Sequence, residues 1–376
     1  MRVALVLAGP YPALRGSQVL VQQLAQGLGG RGHTVHLITY GAGTAGPPGP
    51  SVARLARDVA LTVRLWAAVR RHGIDVIHAH NYEGALAGLV VARLTGRPLV
   101  YHGHNALAQE LPTYFEGRRV RELARALGRL LDAHVPRRAD FCIAVTTELE
   151  DILRRQGVAD TALTCIHPAG NPLELGTRPA PSRTNGLVCY AGNLDGYQNL
   201  DFLLRCFARV RARVADVRLV LVSHADARIR AARLAARGGP LGVEVVCARS
   251  YGEVRDLLAE AAVAVSPRAE TSGFPMKLLN YMAAGKAIVA SAGSAKGLCD
   301  RVSGRVVPDG DEQAFATAIV ELLEDVPQRE RLGAAARRAV EDTRAWEAVL
   351  DRIEAIYRRV AARGELAPVA VRTPAV

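Results

Sequence analysis

The chain has 376 residues, 49 % hydrophobic and 22 % charged, which is enough for two domains with sizeable cores and too balanced for global disorder. Its six cysteines are widely spaced with no CxxC pair, which argues against a zinc ribbon or a disulfide framework and for reduced thiols in a cytosolic protein. A formal net charge of +12 suits nucleic acid, an anionic lipid surface or an anionic small substrate, and composition does not choose among them.

The opening MRVALVLAGPYP holds one Arg, a short apolar run and a turn, the pattern of a buried first strand rather than a signal peptide or a spanning helix. From there short apolar runs alternate with amphipathic stretches. Strands are predicted at 2–8, 34–40, 75–79, 98–102, 141–145, 163–166, 187–191, 217–223, 243–247, 262–266, 287–290 and 304–307. Helices such as Ser17–Leu28, Asn199–Arg213 and Glu312–Leu323 lie between them. Strand and helix taking turns means parallel sheets with helices on both faces. One interruption, residues 167–186, has four prolines and three glycines among polar residues and reads as a linker. The expected fold is α/β, with two Rossmann-like domains, residues 1–170 and 171–345, facing a cleft, followed by residues 346–376, whose end is a frayed Pro/Ala/Val/Arg tail. Ligands in such sheets sit outside the carboxyl ends of the strands.

Several motifs have plain explanations. Gly27 to Gly32 spells GxGxxG but follows a helix and precedes a strand, the reverse of the dinucleotide fingerprint. His78-Ala79-His80 and His102-Gly103-His104 each end a predicted strand, and alternation puts each pair on one face. With no third ligand at a suitable spacing, one or two cleft histidines and no metal are expected. Asp309-Gly310-Asp311 reads as a turn and helix N-cap. No GxSxG elbow, P-loop, HExxH or kinase signature occurs.

The segment from Ser266 to Ala290 is the most informative. A strand ends at Pro267, a Ser/Gly/Pro turn follows, and a helix is predicted from Pro275 to Ala284. Free N–H groups at its start, its dipole and Lys277 would form an anion site at the cleft edge. Of the 48 basic residues only Lys277, Lys286 and Lys296 are lysines, all in or just beyond this segment. On a second helix, Arg118 to Leu131, Arg118, Arg121, Arg125 and Arg129 share one face and Val120, Leu123, Leu127 and Leu130 another. A solvated arginine face over a buried stripe is expected.

At this point the sequence resembles the family-4 glycosyltransferases along nearly its whole length. The resemblance is carried by Gly16-Ser17 and Arg31-Gly32-His33-Thr34-Val35, by the strand ends Asp75 to His80 and Arg97 to Asn105, and by Cys189-Tyr-Ala-Gly192-Asn193-Leu194. Lys277-Leu-Leu-Asn-Tyr-Met-Ala-Ala-Gly285 is similar to the donor-site helix, and Thr343-Arg-Ala-Trp346 to the start of a helix that crosses back to the N-terminal domain. The resemblance implies a retaining, metal-independent transfer of sugar from a nucleotide-diphosphate donor on the C-terminal domain to a glycan or lipid-linked acceptor on the N-terminal one, with no further cofactor. It implies catalytic roles at His104, Glu270 and Ser272, His104 and the latter pair meeting sugar or acceptor hydroxyls. Donor binding would involve Arg15, Gly16, Gly192, Asn193, Gln198, Arg268, Gly273, Phe274, Met276, Lys277 and Asn280, with Asn280 on the ribose. His104 to Phe115 would face the acceptor, and the arginine helix would allow peripheral docking on the anionic inner face of the membrane.

The chain departs from the family where Gly192 to Gln198 carries amides in place of an Arg and a Lys, and where two acidic positions fall on Ser272 and Asn280, with Glu270 two residues early. These departures keep open a degenerate sugar-nucleotide-binding scaffold, and the same architecture keeps open a sugar-nucleotide epimerase, which would need acid/base carboxylates in the cleft that the sequence does not mark. Nucleic acid is not expected as a partner, because the arginines are dispersed and only 5 % of residues are aromatic.

Overall fold

The computed structural model describes residues 1–12, 16–43, 49–169, 186–224, 242–269, 272–341 and 343–365. All the predicted strands are present, within two residues at either end. The first six, β1 Arg2–Leu7, β2 Thr34–Ile38, β3 Val76–His80, β4 Leu99–Gly103, β5 Phe141–Ala144 and β6 Leu163–Cys165, form a parallel sheet in the order β2-β1-β3-β4-β5-β6. A second parallel sheet, β12-β11-β10-β7-β8-β9, is built from β7 Leu187–Ala191, β8 Arg218–His224, β9 Val243–Ala248, β10 Val263–Ser266, β11 Ala287–Ser291 and β12 Arg305–Val307. Central strands such as β3, β4, β7 and β11 are buried along their whole length, as strands covered on both faces must be. The expected linker lies almost wholly outside the described residues, and so does most of the tail.

Connection geometry sorts the helices onto faces. Helix α1 (Gly16–Gly30) joins β1 to β2, while α2 (Val52–His72), α3 (Asn81–Thr95) and, after the short α4 (Leu107–Glu110), α5 (Arg118–His134) lead across the sheet in the opposite direction. Right-handed crossovers place α2, α3 and α5 on one side and α1 on the other. Next come α6 (Thr147–Arg155) and, in the second half, α7 (Leu200–Arg211), α8 (Tyr251–Glu260), α9 (Lys277–Ala283), α10 (Glu312–Glu324) and α11 (Val326–Glu341). The last helix, α12 (Thr343–Glu365), returns to the first half, where Trp346, Leu350, Ile353, Tyr357 and Val360 join that half's core. Gly27 is why the helices meet closely, since a Cβ there would lie 2.9 Å from Leu350 and 3.0 Å from Trp346. The GxGxxG run is thus the end of α1 and the loop to β2, as its place between helix and strand implies, and in addition a helix contact. Asp309-Gly310-Asp311 also behaves as expected: the Asp311 carboxylate accepts the Ala314 N–H at 2.8 Å as the N-cap of α10.

Helix α5 departs from the expectation. Its buried seam is Ala124, Gly128 and Asp132, while Val120, Leu123, Leu127 and Leu130 are 46 %, 72 %, 49 % and 55 % exposed. The cause is close backbone packing: a Cβ on Gly128 would come within 2.6 Å of the Ala108 backbone. Asp132 accepts hydrogen bonds from the Leu107 and Ala108 N–H groups, both at 2.9 Å, and so caps α4. The seam is made of small residues and one carboxylate, so the leucines are left outside.

Candidate active site

A cavity of about 920 Å³ lies between the carboxyl ends of the two sheets. On its C-terminal side stands Lys277, the first residue of α9, half-buried in the cavity wall. Its Nζ donates to Gln198 Oε1 at 2.7 Å and sits 4.4 Å from the centre of the Tyr190 ring. The Arg268 guanidinium stacks over Tyr197 at 4.8 Å, and Tyr197 accepts a 2.7 Å hydrogen bond from Asn193 Nδ2. Burial, and then the neighbouring Arg268 charge, hold the Lys277 ammonium well below the usual lysine range. Two half-buried cations beside amides and phenols make this end of the cavity suited to an anion. Gly192, Asn193, Gln198, Arg268, Phe274, Met276 and Asn280 all line this cavity with Lys277, and Gly16 faces Met276 across it.

The start of α9 differs from the predicted helix. The helix is shorter than Pro275–Ala284, and its Leu278 and Leu279 N–H groups donate to the Pro275 and Met276 carbonyls in a tight turn. Two of the N–H groups at the helix start are thus engaged, and Lys277 and Arg268 add positive charge to the site. The other lysines serve elsewhere. Lys286 donates to the Ala259 and Ala261 carbonyls at the end of α8, and Lys296 pairs with Glu148 of the first half.

Ser272 also differs. Expected to meet sugar hydroxyls, it is 2 % exposed, and its hydroxyl accepts the Ala106 N–H at 2.7 Å. Its N–H donates to Gln109 Oε1 at 3.0 Å and its carbonyl accepts the Thr146 hydroxyl. All three groups therefore clasp the C-terminal half to the N-terminal half. Gly273 makes this approach possible, because a Cβ there would lie 1.8 Å from Asn105 Oδ1 and 2.6 Å from the His104 carbonyl. Glu270 and Arg15 fall outside the described residues.

On the N-terminal side His104 and Asn105 reach the cavity from the end of β4, together with Glu83 and Arg54, which pair at 3.2 Å. The cavity wall continues over Leu86, Val120, Leu123 and Leu127, the apolar side chains that α3 and α5 leave outside the core. Sequence reasoning missed Tyr190, Tyr197, Gln109 and Tyr357. The two tyrosines stand inside the motifs around Gly192 and could have been read from them, whereas nothing local marks Gln109 or Tyr357.

The two HxH pairs come together, which overturns the expectation that neither has a third histidine near it. Strands β3 and β4 are neighbours with His80 opposite His102, and a nitrogen from each of His78, His80 and His102 lies within 4.8 Å of the others. His78 shares hydrogen bonds with Tyr357 Oη (2.6 Å) and His102 Nδ1 (3.0 Å), and His80 Nδ1 with His104 Nε2 (3.0 Å). As expected, one histidine faces the cleft and the others are packed.

Residues 14–172 match the description Glycosyltransferase Family 4, and residues 185–325 match Glycosyl transferases group 1. The chain belongs to the family-4 glycosyltransferases. The phosphatidyl-myo-inositol mannosyltransferase of Mycobacterium leprae is 27 % identical over 98 % of this chain and 100 % of that protein. The D-inositol 3-phosphate glycosyltransferase of Catenulispora acidiphila is 28 % identical over 76 % of this chain and 72 % of its own. Among solved structures, sucrose-phosphate synthase from Thermosynechococcus elongatus superposes with a TM-score of 0.79 at 18 % identity, covering 96 % of this chain and 100 % of that one. Anabaena HepE in complex with UDP and glucose gives 0.72 at 17 % identity, over 96 % and 100 %. These likenesses establish the fold of this glycosyltransferase as the two-Rossmann-domain type. Membership gives no support to the epimerase reading.

Its histidine cluster makes stability depend on pH. Burial holds the His78 imidazole down to about 3 and that of His104 to about 4, with His80 and His102 also well below the usual range. An unfolded histidine titrates near ~6.5, so between there and these lowered values the unfolded chain binds protons that the folded chain does not. Stability is therefore fully present above ~6.5 and falls as pH drops, by up to about 1.4 kcal/mol per pH unit for each histidine. Burial raises the Glu83 and Asp132 carboxyls, which act in the opposite direction. The denaturation midpoint should fall from pH 7 to pH 5, less steeply in His80→Phe, and equal slopes in the two proteins would contradict the buried neutral cluster.

Proposed function

We propose that this chain transfers a sugar, with retention and without a metal ion, from a nucleotide-diphosphate donor to a lipid-linked acceptor at an anionic membrane surface. The observation that carries this reading is the continuity of the cavity. It runs from the half-buried cations Lys277 and Arg268 to an apolar wall of Leu86, Val120, Leu123 and Leu127 that opens onto solvent-exposed helices. A diphosphate completes the first end, and an acyl or polyprenyl chain suits the second. The relatives named for phosphatidyl-myo-inositol and inositol 3-phosphate supply the other supporting fact, as do the UDP and glucose of the HepE complex.

In the proposed reaction the acceptor hydroxyl attacks the anomeric carbon on the face that the diphosphate leaves. The bond from that carbon to the phosphate oxygen breaks, a bond to the acceptor oxygen forms, and the acceptor proton passes to the departing phosphate. The protein's part is positioning and charge stabilisation. Lys277 and Arg268 hold the diphosphate, Asn280 the ribose, and His104 a sugar or acceptor hydroxyl.

Calorimetric titration with a panel of nucleotide-diphosphate sugars, followed by transfer assays on lipid-linked and free inositol phosphate acceptors, tests the reading. Binding of one donor and transfer to the lipid form are expected, and a blank donor panel would return the chain to the scaffold reading. Activity should survive exhaustive chelation. Loss in EDTA with recovery on adding Mg²⁺ or Mn²⁺ would overturn the metal-free mechanism.

A further inference from the structure

The four histidines of β3 and β4 form a ladder behind the cleft. His80 is held between two stacked rings, His78 at 4.5 Å and 21° and His102 at 4.9 Å and 28°. His78 is itself fixed by the Tyr357 hydroxyl from α12, so the plane of the His80 ring is set between its two neighbours. From there His80 Nδ1 meets His104 Nε2 at 3.0 Å. His104 is the member of the ladder that lines the cavity, and its Nδ1 is the nitrogen outside this contact.

The atom that settles the proton positions is His80 Nε2, which is buried with no hydrogen-bond partner among the described residues, as is His102 Nε2. A neutral imidazole carries one proton. The His80–His104 bond can form with either tautomer, and the difference lies in what remains unpaired on the far side of His80. A proton on Nε2 would leave a buried N–H with no acceptor, whereas a proton on Nδ1 leaves only an unused lone pair. Orphaned buried donors are the rarer and costlier outcome. The proton therefore sits on His80 Nδ1 and is donated to His104 Nε2. That nitrogen is then bare, and neutral His104 keeps its own proton on Nδ1.

We propose that His80 is a positioning residue that fixes His104 in the Nδ1-protonated tautomer, so that His104 meets the bound ligand as a hydrogen-bond donor. The ligand atom opposite it is then an oxygen lone pair, of a sugar hydroxyl, an acceptor phosphate or the departing diphosphate, and never a group that needs its proton removed by His104. Identifying that ligand as a sugar donor or acceptor rests on the proposed function, while the tautomer does not.

The test uses the whole chain without ligand, labelled with ¹⁵N-histidine, and two-bond nitrogen–proton correlation spectra at neutral pH. His104 is assigned by comparison with His104→Gln. The expected spectrum shows His104 with a protonated Nδ1 and a bare Nε2. His80→Phe should shift His104 toward the Nε2-protonated form, and His80→Asn, whose amide keeps a donor near the place of Nδ1, should restore the wild-type pattern. A wild-type His104 protonated on Nε2, or a pattern unmoved by His80→Phe in the folded protein, overturns the proposal. Should His80→Phe fail to fold, the wild-type spectrum and His80→Asn still decide. In the transfer assay kcat/KM should fall about tenfold in His80→Phe and recover in His80→Asn; absence of transfer in the wild type would remove the functional reading and leave the spectroscopic result standing.

Discussion

Replacing Lys277 by Ala should lower kcat/KM by two to three orders of magnitude, roughly the effect of removing one charge-stabilising donor from an active site, while the protein stays folded. The side chain is half-buried, its ammonium donates to the neutral Gln198 carbonyl, and the charge beside it is the like charge of Arg268. A cation so placed disfavours the folded state until an anion arrives. Removing it should therefore leave the melting temperature equal or raised, which separates loss of function from loss of fold. Wild-type kcat/KM in the folded variant would remove Lys277 from the donor site, and a smaller loss is expected for Asn280→Ala.

The strands were legible because each is a short, continuous apolar run, the form that a parallel strand covered on both faces requires. Motif-bearing turns were legible for a similar local reason: Asp311 caps α10 with an atom three residues away. What could not be read was set by surfaces that meet from far along the chain. Ser272 looked like a site residue, since a Ser before a Gly-Phe-Pro turn has no sign showing that Ala106, Gln109 and Thr146 will occupy all its polar groups. The histidine ladder is hidden because nothing local to either HxH pair says that the two strands are neighbours, whereas strand order sets His80 opposite His102. For α5 the misleading cue was periodicity itself. A strong apolar stripe normally faces the core, yet here Ala124 and Gly128 allow a closer approach on a different face, and the stripe is left to the solvent.

That stripe has company, and the expected consequence is binding to anionic membranes. Among the described residues, Val52, Leu55, Val59, Val63 and Trp66 of α2, and Leu86, Val90 and Leu94 of α3, are exposed alongside the four of α5. Crossover handedness puts all three helices on one side of the sheet. Arg57, Arg64, Arg70, Arg71, Arg118, Arg119, Arg121 and Arg129 are exposed on the same helices, so apolar and cationic side chains are mixed as they are in interfacial helices. No described helix is long and apolar enough to cross a membrane. Each arginine near an acidic surface contributes about 1 kcal/mol, and each large apolar side chain that leaves water about 1.5–3 kcal/mol. The protein should sediment with vesicles containing acidic lipid at low salt and be partly released as salt rises. Substituting Arg121, Arg125 and Arg129 together by Glu should weaken binding by ~100-fold or more on that scale and reduce the salt-sensitive part. Leu55→Ser with Trp66→Ser should weaken the salt-resistant part instead. Equal recovery with neutral and acidic vesicles, or a triple variant that binds like the wild type, would leave these helices as an apolar surface without a membrane and favour a soluble acceptor.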